Sequence, residues 1–350
     1  MSEWSRTTVG DVMTLQRGFD ITKAQQAPGD VPVVSSGGIG SYHDTAMVKG
    51  PGVVMGRKGT LGKVYYLEGD YWPHDTTLWV KDFKGNDPRF VYYFLGTLDF
   101  LSMDVGSSNP TLNRNHVHPV PVQWPPLAEQ RAISALLGAL DEKISNNESI
   151  AARALDLGTE EFRLLSASAQ ERFTLGDVVE LRYGKALAAH VRTPGDVPVF
   201  GSGGVGGYHA EALVRGPGII VGRKGTVGSV YWSDADFFPI DTTFYVARRT
   251  DRVSLEYMYF ALRSLGLEHM NADSAVPGLN RDRAHSLGLS VPAENAMREF
   301  TSKVNDLFSL RRSRFAESAV LATLRDTLLP QLMSGRLRIK DAEKIVEDNA

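Results

Sequence analysis

The sequence predicts an α+β protein in which two duplicated, mixed α/β domains are separated by two long, coiled-coil-like helices. Three observations lead to this fold class. Residues 28–62 return as residues 194–228 without a gap, with about two-thirds of the positions identical, which indicates a duplicated domain. Short segments rich in β-branched and aromatic residues alternate with glycine turns in each copy. Each copy is followed by a long stretch with helical periodicity.

The short apolar segments of the first copy, bounded by glycine-containing turns, predict strands. These strands are residues 31–34, 52–55, 63–67 and 77–80. Aromatic and leucine residues at helical spacing predict a helix over residues 88–101, with its counterpart at residues 255–267. The predicted boundaries are 1–126 for the first domain, 127–168 for the central spacer helix, 169–292 for the second domain, 293–333 for the distal spacer helix and 334–350 for a C-terminal tail. We expect residues 341–350 to be a frayed acidic end.

The two spacer helices are predicted from apolar residues at intervals of three and four. The stripe residues are Ile133, Leu137, Leu140 and Ile144 in the first helix, and Phe300, Val304 and Leu307 in the second. Helices of this length each extend about 50–60 Å, and neither can bury its stripe alone, so we expect them to pack together. Asn147 and Gly158 interrupt the first stripe, where they either fix the register or mark local fraying or a bend.

Composition excludes several classes of protein. With 350 residues, 42% of them hydrophobic, the chain can bury a core in each domain. The absence of cysteine excludes disulfides, thiolate catalysis and cysteine-ligated metal sites. No signal-peptide pattern and no apolar stretch of about 18 residues occurs, so we expect a cytoplasmic protein with no membrane partner. The net charge of -3 lacks the basic character of a free-standing DNA binder, so a nucleic-acid role needs local charge clusters or basic partners.

Motifs of catalysis are missing from the sequence. No phosphate-loop spacing, no dinucleotide fingerprint, no HExxH and no GxSxG is present. The eight histidines are scattered rather than placed at metal-ligand spacing. The chain therefore reads as a binding protein that is not itself an enzyme and has no metal site.

The repeated segment GRKGTxG is the first candidate for contact with nucleic acid. Its adjacent basic side chains, flanked by glycines that let the backbone come close, can donate charge-assisted hydrogen bonds to phosphate. The candidate residues are Arg57, Lys58 and Thr60, with Arg223, Lys224 and Thr226 in the second copy. The alternative is a β-turn in which the glycines satisfy positive φ and the basic side chains are merely solvated.

Two more repeated segments are candidates for DNA contact. Arginine pairs with guanine and asparagine with adenine, so the Leu-Asn-Arg segments can read base edges; their residues are Asn113, Arg114, Asn280 and Arg281. Alternatively these are turn formers. The segment SGGxGxYH contributes the pairs Tyr42 with His43 and Tyr208 with His209, for stacking, a phosphate bond or base contact. The alternative is a packed tyrosine that supports the loop.

These motifs, together with the Pro-Pro-Leu-x-Glu-Gln-Arg-x-Ile start of the first helix and the segment LRDTLLPQLMSGRLRI at residues 324–339, resemble the specificity subunit of type I restriction-modification systems. The resemblance covers nearly the whole chain. It implies that each domain is a target recognition domain for one half of a bipartite site in double-stranded DNA, and that the helices form an antiparallel spacer that docks methyltransferase subunits. The second helix departs from the motif, since it begins PAENAMRE, and its docking contacts are expected to differ.

The resemblance also implies partners and cofactors. Two methyltransferase subunits would methylate adenine with S-adenosylmethionine, and a restriction and translocase subunit would use ATP and Mg²⁺, while this chain binds no cofactor. The duplication adds the expectation that the half-sites lie on opposite strands about a pseudo-twofold axis. The rigid helices would fix the gap between half-sites. A scaffold or adaptor with twin peptide-binding domains is the alternative function.

Sequence choice is expected where the two copies differ. The predicted variable loops are residues 69–71 against 234–236, and residues 106–110 against 272–277. We therefore predict similar but unequal half-sites.

Overall fold

The computed structural model describes residues 4–103, 111–169, 171–270 and 278–349. The chain divides into two compact units: Met1–Glu148 with Ala316–Ala350, and Ser149–Phe315. Each unit therefore contains one half of each long helix. The predicted variable loops at 106–110 and 272–277 lie outside the described residues.

The two units contain the same succession of short strands and helices. In the first unit the elements are β1 (Ser5–Thr8), α1 (Val9–Val12), β2 (Thr14–Arg17), β3 (Val31–Ser35), β4 (Gly38–His43), β5 (Gly52–Gly56), β6 (Val64–Leu67), β7 (Trp72–Pro73), β8 (Thr77–Asp82), α2 (Pro88–Gly96), α3 (Arg114–Val117) and β9 (Pro121–Trp124). The long helix α4 (Leu127–Ser168) then runs from the first unit into the second.

In the second unit the elements are β10 (Glu171–Thr174), α5 (Leu175–Val178), β11 (Val179–Tyr183), β12 (Val197–Gly201), β13 (Gly204–His209), β14 (Gly218–Gly222), β15 (Val230–Ser233), β16 (Phe238–Pro239), β17 (Thr243–Arg248), α6 (Leu255–Ser264), α7 (Arg281–His285) and β18 (Gly288–Val291). The long helix α8 (Glu294–Met333) returns to the first unit, where α9 (Ile339–Asn349) follows it. Single 3₁₀ turns occur at Lys23–Gln25, Leu101–Met103, Ala189–Val191 and Leu267–His269.

The strands form the same three sheets in each unit. A four-stranded antiparallel sheet has the order β2-β8-β5-β6 in the first unit and β11-β17-β14-β15 in the second. A three-stranded sheet, β4-β3-β7 or β13-β12-β16, combines a hairpin with one parallel pair. The outermost strands pair as β1-β9 and β10-β18. This identical strand order confirms the predicted fold class and its duplication.

Each unit builds its core from one domain and from both long helices. In the first unit, the four-stranded sheet and α2 pack with Leu137 of α4 and Leu328 of α8. In the second unit, the equivalent elements pack with Phe162 of α4 and Phe300 of α8. Because the helix stripes are buried against the domains as well as against each other, the helices are part of both cores. The stripe prediction needs one correction in α8, where Phe308 is the buried residue and Leu307 is half-buried.

Within each unit the two helix halves are antiparallel, because residue numbers rise along α4 as they fall along α8. The contacts that show this are Asp141 with Arg325 and Lys143 with Glu317 in the first unit, and Ala151 with Arg311 and Glu161 with Lys303 in the second. This confirms the antiparallel pairing that the family resemblance implies.

A buried glutamine attaches the start of α4 to the first domain. Gln130 is 1% exposed. Its amide nitrogen donates to Asn86 Oδ1 at 2.8 Å and to the Pro125 carbonyl at 2.9 Å, and its Oε1 accepts from the Asp87 N–H at 3.0 Å. The residue at the same distance from the start of α8 is Met297, which is also buried. The departure of the second helix from the sequence motif therefore replaces a polar attachment with an apolar one.

Further along α4, a second polar attachment holds α2 and α8 in the first unit. Tyr93 Oη of α2 donates to Asp141 Oδ2 at 2.5 Å, and Arg325 Nη1 of α8 donates to Asp141 Oδ1 at 2.7 Å. Burial, followed by the hydrogen bond to Asp141, raises the pKa of Tyr93. The phenol therefore stays protonated and acts as a donor. One carboxylate thus joins three helices of this unit.

The second unit fills the equivalent place with aromatic rings. Phe260 stands six residues after the N-cap of α6, as Tyr93 does after the N-cap of α2, and its ring centroid lies 6.1 Å from that of Phe308. A Cβ at Gly158 would lie 2.6 Å from Phe260 Cζ. Gly158 therefore leaves space for this ring. That space explains the break in the apolar stripe, and neither a fixed register nor a bend in the helix is needed.

The C-terminal segment is a helix rather than the frayed end that its acidic composition predicts. Ala342 is fully buried, and Ile339 and Val346 of the same helix pack on the core of the first unit. These three residues lie three and four positions apart, so they form one apolar edge. The predicted helix at 88–101 is also corrected, because α2 ends at Gly96. Among the described helices, none is both long and apolar enough to cross a membrane.

Candidate nucleic-acid interface

The basic turn of the first unit follows β5 and is held by its own backbone. The amides of Arg57 and Lys58 both donate to the Thr76 carbonyl, at 2.9 and 3.1 Å. A side chain at Gly56 would overlap the carbonyl of Thr60, and Gly59 has a φ of +78°, so this tight turn requires glycine at both positions. The glycines therefore have the turn-forming role of the alternative interpretation, and the turn presents its remaining side chains from a fixed backbone.

The side chains of this turn differ in their surroundings. Lys58 and Thr60 are exposed, whereas Arg57 is half-buried. Burial, with a further contribution from the charge of Arg17, lowers the pKa of Arg57. Its Nη1 atom is buried with no hydrogen-bond partner among the described residues. The interpretation of the basic side chains as merely solvated therefore suits Lys58 and is wrong for Arg57.

The second unit repeats the turn with the same contacts. The amides of Arg223 and Lys224 donate to the Thr242 carbonyl at 2.9 and 3.1 Å, and Gly225 has a φ of +81°. Lys224 and Thr226 are exposed and Arg223 is half-buried. The same backbone hydrogen bonds hold the turn in both copies. Each unit therefore presents one half-buried arginine and one exposed lysine.

The Leu-Asn-Arg segments lie directly beside the basic turns. The Leu112 N–H donates to the Arg57 carbonyl at 2.9 Å, and the Leu279 N–H donates to the Arg223 carbonyl at 2.8 Å. Two motifs that are more than 50 residues apart in the sequence therefore form one surface in each unit.

The asparagines of these segments are exposed helix caps. Asn113 Oδ1 accepts from the Asn115 N–H, and Asn280 Oδ1 accepts from the Arg283 N–H, each at 3.0 Å. Reading adenine requires both the oxygen and the nitrogen of an amide, and here the oxygen already caps α3 or α7. The turn-forming interpretation therefore describes Asn113 and Asn280 better than base reading does.

The arginines of the same segments border the candidate surface. Arg114 lines a cleft of about 720 Å³ in the first unit, together with Arg17 and Arg57. In the second unit, the Arg281 guanidinium lies 5.4 Å from the ring centroid of Tyr183. Sequence patterns do not single out Arg17 or Tyr183, because neither belongs to a repeated motif.

The tyrosines of the SGGxGxYH hairpins are exposed. Tyr42 is 54% exposed and Tyr208 is 60% exposed, so the interpretation of a packed tyrosine is wrong. The hairpin residues Ile39 and Val205 are exposed as well. Each hairpin therefore presents an apolar and aromatic edge, with Tyr42 and Tyr208 available for stacking or phosphate contact.

The histidines next to these tyrosines have a structural role. His43 and His209 are each 8% exposed. Their Nδ1 atoms accept from the backbone amides of Ala27 and Thr193, at 3.0 and 3.1 Å. Both rings are occupied inside their units, so we correct the prediction that they contact DNA.

The hairpin turn also meets the basic turn. Tyr65 Oη donates to the Ser36 carbonyl at 3.2 Å, and the Ser36 N–H donates to Thr76 Oγ1 at 3.3 Å. In the second unit, Tyr231 Oη donates to the Ser202 carbonyl at 3.1 Å, and the Thr226 N–H of the basic turn donates to Ser202 Oγ at 3.4 Å. The hairpin turn, the basic turn and the Leu-Asn-Arg segment thus lie together in each unit.

Two further repeated histidines connect the Leu-Asn-Arg segments to neighbouring strands. The Nε2 atoms of His118 and His285 accept from the backbone amides of Leu15 and Leu181, each at 3.0 Å. Burial lowers the pKa of both imidazoles. They therefore tie the Leu-Asn-Arg segments to β2 and β11 in their neutral form. Their recurrence after each Leu-Asn-Arg segment is the sequence signal that marks them.

One of the predicted variable loops has a structural role. Tyr71 in the loop at residues 69–71 is fully buried. Asp70 and Asp236 accept from turn amides in their own units at 3.0 and 2.9 Å, so the copies use this loop in the same way. The prediction that it carries sequence choice is not supported by these contacts.

A group of possible metal ligands occurs in the first unit. Ligand atoms of Asp20, His74 and Asp75 lie within 4.8 Å of one another. Asp75 is already paired with Arg17 at 2.7 Å, and Ile240 occupies the position equivalent to His74 in the second unit. The group is therefore explained by its ion pair and is not a shared feature of the two units.

Two copies of an α/β domain, each presenting arginines beside a rigid basic turn and each packed on one half of both long helices, are the features of a protein with a duplicated recognition domain. Residues 1–154 and 168–308 match the family described as type I restriction modification DNA specificity domain. The chain belongs to this family, which confirms the resemblance found in its sequence.

Similar proteins agree with this membership. The specificity subunit of the type I restriction enzyme EcoprrI of Escherichia coli is 26% identical over 129 residues, which are 35% of this chain and 32% of that protein. The match thus spans about a third of the length of that relative. The crystal structure of a type I restriction-modification S subunit from M. genitalium is 20% identical, covers 94% of this chain and 96% of its own, and has a TM-score of 0.67. This similarity shows a shared fold.

Proposed function

We propose that the chain is the DNA-recognition subunit of a type I restriction-modification complex. Each domain reads one half of a bipartite site in double-stranded DNA, and the paired helices set the gap and dock methyltransferase subunits. Methylation with S-adenosylmethionine, and any restriction step driven by ATP and Mg²⁺, belong to partner subunits. The chain itself is a non-catalytic recognition subunit.

The observation that carries this proposal is the repeated cluster of arginines beside the basic turn. Arg57 lines one cleft with Arg17 and Arg114 in the first unit, and the guanidinium groups of Arg223 and Arg281 both lie over the ring of Tyr183 in the second. Like charges that burial brings together are stabilised when an anion approaches. Charge-assisted bonds from arginine and lysine to phosphate supply most of the affinity of non-specific DNA binding. An exposed lysine in the same turn, Lys58, extends the surface.

Docking of partner subunits is supported by an exposed apolar stripe on α4. Ile150, Leu157 and Leu164 follow one another at intervals of seven residues and are 40%, 51% and 61% exposed. Apolar residues at this spacing form a seam that a second helix can cover. The stripe is therefore the surface of the second unit that best suits a helical partner.

The salt dependence of DNA binding tests the proposal. For the complex with its methyltransferase subunits, log K should fall steeply as log[salt] rises between about 50 and 200 mM. The double variant Lys58→Ala and Lys224→Ala should reduce the slope by about 0.9 for each lost phosphate contact. The matched control is Lys340→Ala with Lys344→Ala, which removes the same charge from α9.

Fluorescence anisotropy with a labelled duplex measures both slopes. A wild-type complex whose affinity hardly depends on salt would overturn DNA recognition and favour the scaffold alternative. An equal change of slope in the control pair would show that the basic turns are not the contact surface.

A further inference from the structure

The two units place different residues at one equivalent position beside the basic turn. Arg17 ends β2 and Tyr183 ends β11, and their strand partners are Leu78 and Phe244. Gly18, which follows Arg17, packs against the carbonyl of His74. Gly184, which follows Tyr183, packs against the carbonyl of Ile240. The same close approach fixes the strand register in both units, so Arg17 and Tyr183 occupy the same place.

In the first unit this position supplies a third guanidinium to the cleft. Arg17 Nη2 lies 2.7 Å from Asp75 Oδ2, and the Arg17 side chain is 55% exposed. Arg57 and Arg114 line the same cleft. Three guanidinium groups thus line one open cleft of about 720 Å³, together with the carboxylate of Asp20.

In the second unit the same position holds an aromatic ring that two arginines contact. The guanidinium carbons of Arg223 and Arg281 lie 5.1 and 5.4 Å from the centroid of the Tyr183 ring. The ring itself lies 4.9 Å from that of Phe244 and is 51% exposed. Stacking on an aromatic face orients a guanidinium and leaves its edge donors usable. Tyr183 therefore positions two arginines where Arg17 adds one.

We propose that Arg17 and Tyr183 are specificity-determining residues that make the two half-sites differ, an inference that rests on the proposed function. Arg17 offers a planar fork of donors that matches the paired acceptors of guanine in the major groove. Tyr183 has no such fork and offers a ring face and one hydroxyl. Exchanging the residues should therefore change the base preference of one half-site at a time.

The test uses the full chain with its methyltransferase subunits and maps methylated adenines across a genome. Arg17→Tyr should lower methylation at the original form of one half-site by roughly five- to a hundredfold, the range of one lost bidentate base contact. Tyr183→Arg should alter the other half-site and leave the first one unchanged. Arg6→Tyr, at an exposed strand residue outside the cleft, is the matched control and should change neither.

The outcomes separate the two levels of the proposal. A wild-type complex that methylates no bipartite motif would overturn the proposed function. A wild-type motif that neither exchange alters, or that both alter in the same half, would overturn the assignment of Arg17 and Tyr183 alone. If thermal melting shows that Arg17→Tyr is unfolded, Arg17→Gln replaces it with the same expected loss, because it also removes the fork of donors.

Discussion

Asp141 connects three helices of the first unit, so its removal should lower the stability of that unit selectively. The carboxylate accepts from Tyr93 at 2.5 Å and from Arg325 at 2.7 Å. A hydrogen bond to a charged group contributes about 1.5–3 kcal/mol. The side chains of Asp141 and Arg325 are 27% and 29% exposed, and solvent screening places the ion pair at about 1 kcal/mol. We expect Asp141→Ala to cost about 3 kcal/mol in total.

Differential scanning calorimetry of the full chain measures this effect. For a unit of this size, 1 kcal/mol shifts the unfolding temperature by about 2–4 °C, so the transition of the first unit should fall by about 6–12 °C. The double variant Tyr93→Phe with Asp141→Ala should be little worse than Asp141→Ala alone, because both changes remove the same bond.

The matched control lies in the second unit, where the equivalent contacts are apolar. Phe308→Leu keeps an apolar side chain against Phe260 and should leave the transition of the first unit unchanged. If Asp141→Ala shifts the first transition by less than about 2 °C, or shifts both transitions equally, the reasoning about this polar attachment is refuted.

Three further predictions concern packing, protonation and spacing. Gly158→Ala should lower the free energy of unfolding by about 1 kcal/mol. Crowding a buried ring costs about 1–3 kcal/mol, which outweighs a helix-propensity gain of about 1 kcal/mol. Gly138→Ala meets only a flexible arginine side chain and should be neutral or stabilising. Since the folded state lowers the pKa of His118 from 6.5, the unfolded state binds more protons and stability should fall as pH drops below that value, less so in His118→Gln. One heptad inserted after Glu148 and another after Phe315 should lengthen each helix by about 10.5 Å and widen the DNA gap by about three base pairs.

Each of these predictions has its own measurement. Denaturant midpoints compare the two glycine variants, and equal midpoints would contradict the packing argument. Unfolding curves between about pH 5 and 8 compare wild type with His118→Gln, and parallel profiles would contradict the neutral-acceptor role. Methylation footprints of the insertion variant should show unchanged half-sites, and an unchanged gap would rule out the helices as spacers.

The sequence was sufficient for the parts of the fold that depend on periodicity and repetition. The prediction of both long helices agrees with the observed α4 at both ends and with α8 to within one residue at its start, because apolar spacing and the neighbouring prolines mark them clearly. The C-terminal helix was missed since acidic residues outnumber the apolar edge made by Ile339, Ala342 and Val346. Its burial depends on a surface of the first unit that local sequence does not reveal.

The candidate site was predictable only in part. Repetition identified the basic turns and the Leu-Asn-Arg segments, and the fold brings them together. Repetition also led to the prediction that His43 and His209 contact DNA. A repeated residue can serve packing as well as binding, and these two histidines are buried. Arg17 and Tyr183 escaped notice for the opposite reason: the copies differ there, and only strand pairing places both residues beside the basic turn.

The division of both long helices between the units has a consequence for protein synthesis. The first unit needs Leu321, Leu328 and Ala342 to complete its core, and the ribosome makes these residues after the entire second unit. Part of the apolar surface of the first domain therefore stays exposed to solvent until these residues have been made. The second unit can complete its core before then. If translation stops before Leu321, the second unit should fold, whereas the first unit should lack part of its core.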